Sequence, residues 1–175
     1  MIMIREAKPD DEATLKKIDA SIETSFVYDA VPFDEGFELR LTKVDPPLRK
    51  EYSLAHFRDM APPCDREWVA ESDGRIVGFI GVATEARKKR CSVWHFYVDR
   101  AHRKRGIGRR LMNAAQAHAS NSGATLLWVE TQNVNVPAIA AYRALGFELC
   151  GLDTALYHGT AEADETALYL ARRIG

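Results

Sequence analysis

Cysteine is scarce in this chain, long apolar runs are absent, and acidic and basic residues nearly cancel. Its three cysteines, Cys64, Cys91 and Cys150, stand far apart. They form no CxxC pair and no Cys/His cluster at zinc-ligand spacing, and His56, His102, His118 and His158 are scattered. A disulfide framework and a structural metal are therefore both excluded as the basis of the fold, and reduced thiols fit a reducing compartment. No segment approaches the roughly 20 consecutive apolar residues of a membrane-spanning helix. The opening Met1-Ile2-Met3-Ile4-Arg5 becomes charged too soon to read as a secretory leader. These absences predict a cytoplasmic protein with no membrane partner. Lys plus Arg number 24 against 25 Asp plus Glu, a formal net charge of −1, so nothing global draws the chain toward nucleic acid.

What is present suits one α/β domain over residues 1–175, long enough to bury roughly two thirds of the unfolded chain's surface. Ile2–Ala7 reads as a first strand. Pro9-Asp10-Asp11-Glu12 then opens a helix whose apolar period runs to about Ser21. Between Ser21 and Pro63 the prolines Pro32, Pro46, Pro47 and Pro62 interrupt the pattern, and short helices are expected over Phe37–Leu41 and Leu48–Met60. Trp68–Glu71 and Arg75–Ala83 read as strands joined by the turn pair Asp73-Gly74. The second of these has apolar or small residues on both faces, as a strand near the middle of a sheet should. Ser92–Val98 is a further strand, Gly106–Ala119 a helix and Leu126–Glu130 a strand. A second helix follows over Pro137–Leu145, opened by Asn135 and ended by Gly146. Phe147–Leu152 and Thr166–Ala171 complete a mixed sheet flanked by helices.

The segment richest in chemistry is Val98-Asp99-Arg100-Ala101-His102-Arg103-Lys104-Arg105-Gly106-Ile107-Gly108-Arg109. A strand ends, a basic loop turns, and glycines lead into a helix. The first amides of a helix have no internal partner and suit phosphate oxygens. Glycine removes the Cβ that would keep a ligand at a distance, and arginine adds charge-assisted donors. The pattern predicts a pyrophosphate cradle. It is neither a P-loop, which needs Gly-Lys-Ser/Thr, nor the dinucleotide fingerprint, whose third glycine position holds Leu111.

At these residues the chain resembles the GNAT superfamily of acyl-CoA-dependent N-acetyltransferases. Phe96-Tyr97-Val98 followed by Arg103, Gly106 and Gly108 matches its CoA signature, and Asn135, Ala138, Tyr142, Gly146 and Phe147 match its second motif. Glu130-Thr131-Gln132, Tyr142, Gly146-Phe147 and Gly151-x-Asp153-Thr154-x-Leu156-Tyr157 further resemble the streptothricin acetyltransferase branch. The resemblance implies a GNAT-like domain with a mixed, mostly antiparallel sheet, acetyl-CoA as co-substrate, no metal, and direct acetyl transfer to a primary amine of a small cationic acceptor. It implies that the main chain at Phe96-Tyr97-Val98 pairs with the pantetheine arm. Arg103, Lys104, Arg105, Gly106, Ile107, Gly108 and Arg109 then hold the phosphates. Asn135 caps its helix and meets the cofactor, and Tyr142 protonates the departing thiolate.

The acceptor must lose a proton before it attacks, since an alkylammonium has no lone pair. Glu130, near the end of its strand, ranks first for binding the ammonium and removing its proton, with a structural salt bridge as its other reading. Asp153 and His95 follow, although a lone strand histidine also fits a core position. Asp34, Glu35 and Glu38 favour a cationic acceptor or simply form a solvated face. Cys91 and Cys150 read as core rather than as acyl carriers. The rival readings are a peptide N-acetyltransferase and a CoA-binding module without turnover. Edge strands near the C-terminus are suited to pairing in a homodimer.

Overall fold

The computed structural model describes every residue except His56, Met60 and the side chain of Arg58. Its elements are β1 (Ile2–Glu6), α1 (Glu12–Leu15), β2 (Ile22–Phe33), β3 (Gly36–Lys50), β4 (Arg66–Ser72), β5 (Arg75–Glu85), β6 (Arg90–Val98), α2 (Ile107–Asn121), β7 (Leu126–Gln132), α3 (Val136–Ala144), β8 (Glu148–Asp153) and β9 (Ala167–Arg173). Seven strands share a mixed sheet in the order β1-β4-β5-β6-β7-β9-β8, and β2 with β3 forms a two-stranded ribbon. The β1–β4, β4–β5, β5–β6 and β8–β9 pairs are antiparallel and the β6–β7 pair is parallel. The expected mixed sheet with flanking helices is therefore what forms. Among the described residues no helix is long and apolar enough to cross a membrane.

By internal contacts the chain divides into two compact units. One comprises Met1–Ser21, Glu51–Val129 and Arg172–Gly175, the other Ile22–Lys50 and Glu130–Ala171. In the first, Asp73 and Gly74 both take positive φ (51° and 75°), the turn that the twist of a tight hairpin requires. Its β5 is the central strand expected, buried from Val77 to Val82. A Cβ on Gly78 would meet Leu111 and Ile107 of α2, while the next residue, Phe79, packs with Leu15, Ile18, Leu54 and Phe57. Successive residues of a strand face opposite ways, so β5 carries α2 on one face and the α1 cluster on the other. The first helix is shorter than its period suggested: α1 ends at Leu15. The chain leaves the α-helix by tightening, Lys17 N donating to Thr14 O at 3.0 Å and Ile18 N to Leu15 O at 3.1 Å, the 3₁₀ close common at helix ends. Beyond it Asp19 Oδ1 accepts from Ser21 N at 2.9 Å.

In the second unit, the helices expected over Phe37–Leu41 and Leu48–Met60 are corrected. Residues 37–50 lie in β3, paired to β2 from Phe33↔Gly36 at the tip to Ile22↔Lys50 at the base. Phe57–Asp59 is a single 3₁₀ turn of the first unit, and Met60 lies outside the described residues. Phe37 and Leu41 share helical spacing, but with Leu39 they also alternate with period two, and long-range pairing selected the strand. The prolines are tolerated because each strand of a two-stranded ribbon has an outer edge. α3 matches its local signals. Asn135 Oδ1 accepts from Ala138 N at 3.1 Å, and at the other end Gly146 N donates to Arg143 O and Phe147 N to Tyr142 O, each at 3.0 Å. That pair of bonds is a Schellman closure.

Candidate functional site

In the first unit the site begins on β6. Gly81 pairs with His95 but Val82 pairs with Val93, so Trp94 is an extra residue that bulges the strand. The parallel ladder to β7 runs from Arg90↔Leu126 to Val93↔Val129 and ends just before this bulge. Phe96, Tyr97 and Val98 lie beyond its end. Asp99 then caps a short turn, its Oδ1 lying 3.1 Å from Ala101 N and 2.9 Å from His102 Nδ1. Lys104 (φ 61°) and Gly106 (φ 77°) are both left-handed, and α2 starts at Ile107. Arg110 N is the first amide to reach a carbonyl of this turn, Gly106 O at 3.1 Å. The amides of Ile107, Gly108 and Arg109 precede that bond, as the leading amides of a helix do. Lys104, Arg105 and Arg109 are exposed around them.

The two glycines serve different ends. A Cβ on Gly106 would meet nothing within 4 Å, so this glycine is required by its φ. A Cβ on Gly108 would lie 3.1 Å from Phe96 Cζ, so that glycine makes room for the aromatic ring of β6. Arg103 is engaged with the main chain. Its Nε donates to Val98 O at 3.0 Å and its NH1 to Ser21 O at 2.7 Å, so its fork ties the end of β6 to the segment before β2. Burial lowers the pKa of this guanidinium, with Asp19 and Asp99 opposing and Arg100 adding to the fall, yet an arginine stays charged in a protein. His95 is buried among aromatic rings. It is 4% exposed, and its ring lies 5.0 Å from Phe57, 5.9 Å from Phe79 and 6.3 Å from Tyr97.

In the second unit a group of carboxylates and phenols gathers. The Tyr157 hydroxyl donates to Glu130 Oε1. Burial pushes the Glu130 carboxyl above the usual carboxylate range, and the Tyr157 bond opposes this only in part. Tyr157 is raised by burial first, then by its bond to Glu130 and by the charges of Glu130 and Glu165. Tyr169 is raised by burial and by Asp153 and Glu130. Glu165 is held by the Lys50 ammonium, while Asp153 Oδ1 accepts from Ala155 N at 2.8 Å. Glu130 and Asp153, both expected from the sequence, are thus joined by three residues that sequence reasoning missed: Tyr157, Glu165 and Tyr169. Of these only Tyr157 had a signal, as part of the Gly151–Tyr157 pattern.

Asn133 is a further residue missed. It is buried and makes four hydrogen bonds, two with Tyr28 (3.1 and 2.7 Å) and two with Thr166 (2.9 and 2.8 Å). It thereby fixes β2 and the start of β9 with all its polar groups engaged. Arg143 of α3 donates to the Tyr28 hydroxyl at 2.8 Å. Tyr142 of the same helix is buried, its ring edge-on to Phe147 at 5.6 Å. Asp34 and Glu35 form the exposed tip of the ribbon, and Glu38 is neutralised by Arg40 at 2.6 Å, which is the solvated-face reading. Cys91 is core as expected, but Cys150 is exposed on β8. The register of β8 with β9 slips between Leu149 and Gly151, so Cys150 is the extra residue of a bulge with no opposite residue on β9. Among the described residues no cluster of His, Cys, Asp and Glu is arranged to hold a metal.

Comparison with known proteins adds independent findings. Residues 33–147 match the acetyltransferase (GNAT) family. The chain is 41% identical over 174 residues to the streptothricin acetyltransferase of Streptomyces lavendulae, covering 95% of this chain and 92% of that one. Its fold is similar to that of nourseothricin acetyltransferase, with a TM-score of 0.91, 40% identity and 99% of both chains covered. It is also similar to a Bacillus anthracis str. Ames protein solved in complex with acetyl coenzyme A, with a TM-score of 0.82, 25% identity, and 99% and 100% of the chains covered.

Proposed function

This chain belongs to the acetyltransferase (GNAT) family, and we propose that its acceptor is a small cationic amine of the streptothricin type. The enzyme is an N-acetyltransferase with acetyl-CoA as co-substrate. One observation supports the acceptor reading above others. Glu130 is a half-buried carboxylate whose one hydrogen-bond partner among the described residues is a neutral phenol. Buried anions are tolerated when a cation or several donors compensate them. An acceptor ammonium supplies the cation that this carboxylate otherwise lacks, and the streptothricin and nourseothricin acetyltransferases among its relatives agree with that chemistry.

Acetyl-CoA brings a thioester that a neutral amine attacks directly. The amides of Ile107, Gly108 and Arg109, with Gly106 and the charged side chains of Lys104, Arg105 and Arg109, hold its phosphates. Arg103 shapes this cradle by holding the backbone beneath it. The main chain at Phe96-Tyr97-Val98 takes the pantetheine arm, and Asn135 contacts the cofactor as well as capping α3. Glu130 takes the proton of the attacking ammonium, Asp153 attracts a further cationic group of the acceptor, and Tyr142 returns a proton to the departing thiolate.

A thiol-release assay with acetyl-CoA tests this against streptothricin, polyamines, aminoglycosides, free lysine and short peptides. Fast release with streptothricin is the expected result. Release with peptides alone would overturn the small-amine reading. Acetyl-CoA binding without release across the whole panel would also count against it.

A further inference from the structure

We infer that Tyr157 is a positioning residue of the acceptor site: its hydroxyl fixes one oxygen of Glu130 and leaves the other to meet the acceptor ammonium. This rests on the reading of Glu130 given above, and it gives a role to a tyrosine that the proposed chemistry does not use. The bond from Tyr157 engages Oε1, and Oε2 has no hydrogen-bond partner among the described residues. The terminal torsion of a glutamate is broad and poorly defined by itself, so a donor on one oxygen sets the plane in which the other presents its lone pairs.

The phenol is delivered by a segment built to hold it. Between β8 and β9 the chain closes successive turns around Tyr157. Asp153 Oδ1 accepts from Ala155 N at 2.8 Å, and His158 N donates to Ala155 O at 3.0 Å. Tyr157 O itself accepts from Thr160 N at 3.0 Å and from Thr160 Oγ1 at 2.8 Å. The far end of the segment is secured twice, by Glu165 on Lys50 of β3 and by Thr166 on Asn133. Asn133 follows Glu130 by three positions in the chain. The segment is thus tied to the same stretch of chain that carries the carboxylate, and the phenol reaches Glu130 from a fixed base.

The proton balance is simple. The acceptor ammonium breaks one N–H bond and Glu130 Oε2 gains the O–H bond, leaving the nitrogen lone pair to attack the thioester. Tyr157 keeps its own proton throughout. The ionisable groups around the pair are Tyr169 of β9, Asp153 of β8, and Glu165 with its Lys50 partner. Removing the Tyr157 bond takes away the interaction that opposes the burial-raised pKa of Glu130. A base acts when deprotonated, so a higher pKa moves the acid limb of the rate profile to higher pH.

The test is the pH dependence of kcat/KM for streptothricin in the wild type, Tyr157→Phe and Glu130→Gln, with acetyl-CoA affinity measured alongside. Phenylalanine keeps the ring and removes the donor alone. The expected result is an alkaline displacement of the acid limb in Tyr157→Phe, about tenfold in kcat/KM below the limb for each unit of displacement. Acetyl-CoA affinity should be unchanged and Glu130→Gln should lack the limb. A uniform fall at every pH in Tyr157→Phe, the behaviour of a merely structural tyrosine, would overturn the inference. So would a limb that stays in place in Tyr157→Phe while Glu130→Gln abolishes it, and in that case Glu130 would keep its role. A limb surviving in Glu130→Gln would overturn the reading of Glu130 itself.

Discussion

Replacing Arg103 by glutamine separates two roles that an arginine beside a phosphate cradle can play. Its side chain donates to Val98 O and to Ser21 O. Hydrogen bonds from a charged donor contribute about 1.5–3 kcal/mol each. The guanidinium is only half-buried, so solvent screening reduces the pair to about 3 kcal/mol in total. With a urea dependence of about 2 kcal/mol per molar, the unfolding midpoint of Arg103→Gln should fall by roughly 1.5 M. Arg103→Lys should recover about half of this, because an ammonium lacks the fork that reaches two carbonyls. Acetyl-CoA affinity, measured by equilibrium titration over a range of salt, should fall less than about tenfold with its salt dependence preserved, since no phosphate contact is removed. Wild-type stability in Arg103→Gln, combined with a large affinity loss and a shallower salt dependence, would refute the reasoning and return Arg103 to the phosphates.

Further tests address the other assignments. Gly108→Ala places a Cβ 3.1 Å from Phe96 Cζ; overpacking of this kind costs about 1–3 kcal/mol, and an unchanged denaturation midpoint would mean that the ring yields freely. Tyr142→Phe should lower kcat by about 10²-fold while leaving the Kd for acetyl-CoA unaltered, and an unaltered kcat would remove Tyr142 from the chemistry. Native protein treated with a chromogenic disulfide reagent should label the exposed Cys150 promptly. Cys91, fully buried and with its thiol pushed up by burial to about 11, should react only on unfolding. Prompt modification of Cys91, read by peptide mapping, would contradict its place in the core.

What could be read from the sequence alone was whatever is decided over a few residues. The Asn135 cap closes on Ala138, the Gly146 turn closes on Arg143, and the left-handed Gly106 precedes the helix it begins. These signals are short-ranged, and the family motifs are built from them, so both survive without knowledge of the rest of the fold. The central strand β5 was legible for a related reason, since burial on both faces leaves a continuous apolar run. Tertiary structure decided the remainder. β2 and β3 carry prolines and exposed side chains whose local pattern admits helix or strand, and only pairing across the ribbon chose between them. Arg103 found its carbonyl 82 positions away at Ser21, and Tyr157 found its carboxylate 27 positions away at Glu130. Residue type sets what a side chain can donate or accept, but the folded chain decides which partner stands within 3 Å, and burial then sets how strongly the two interact.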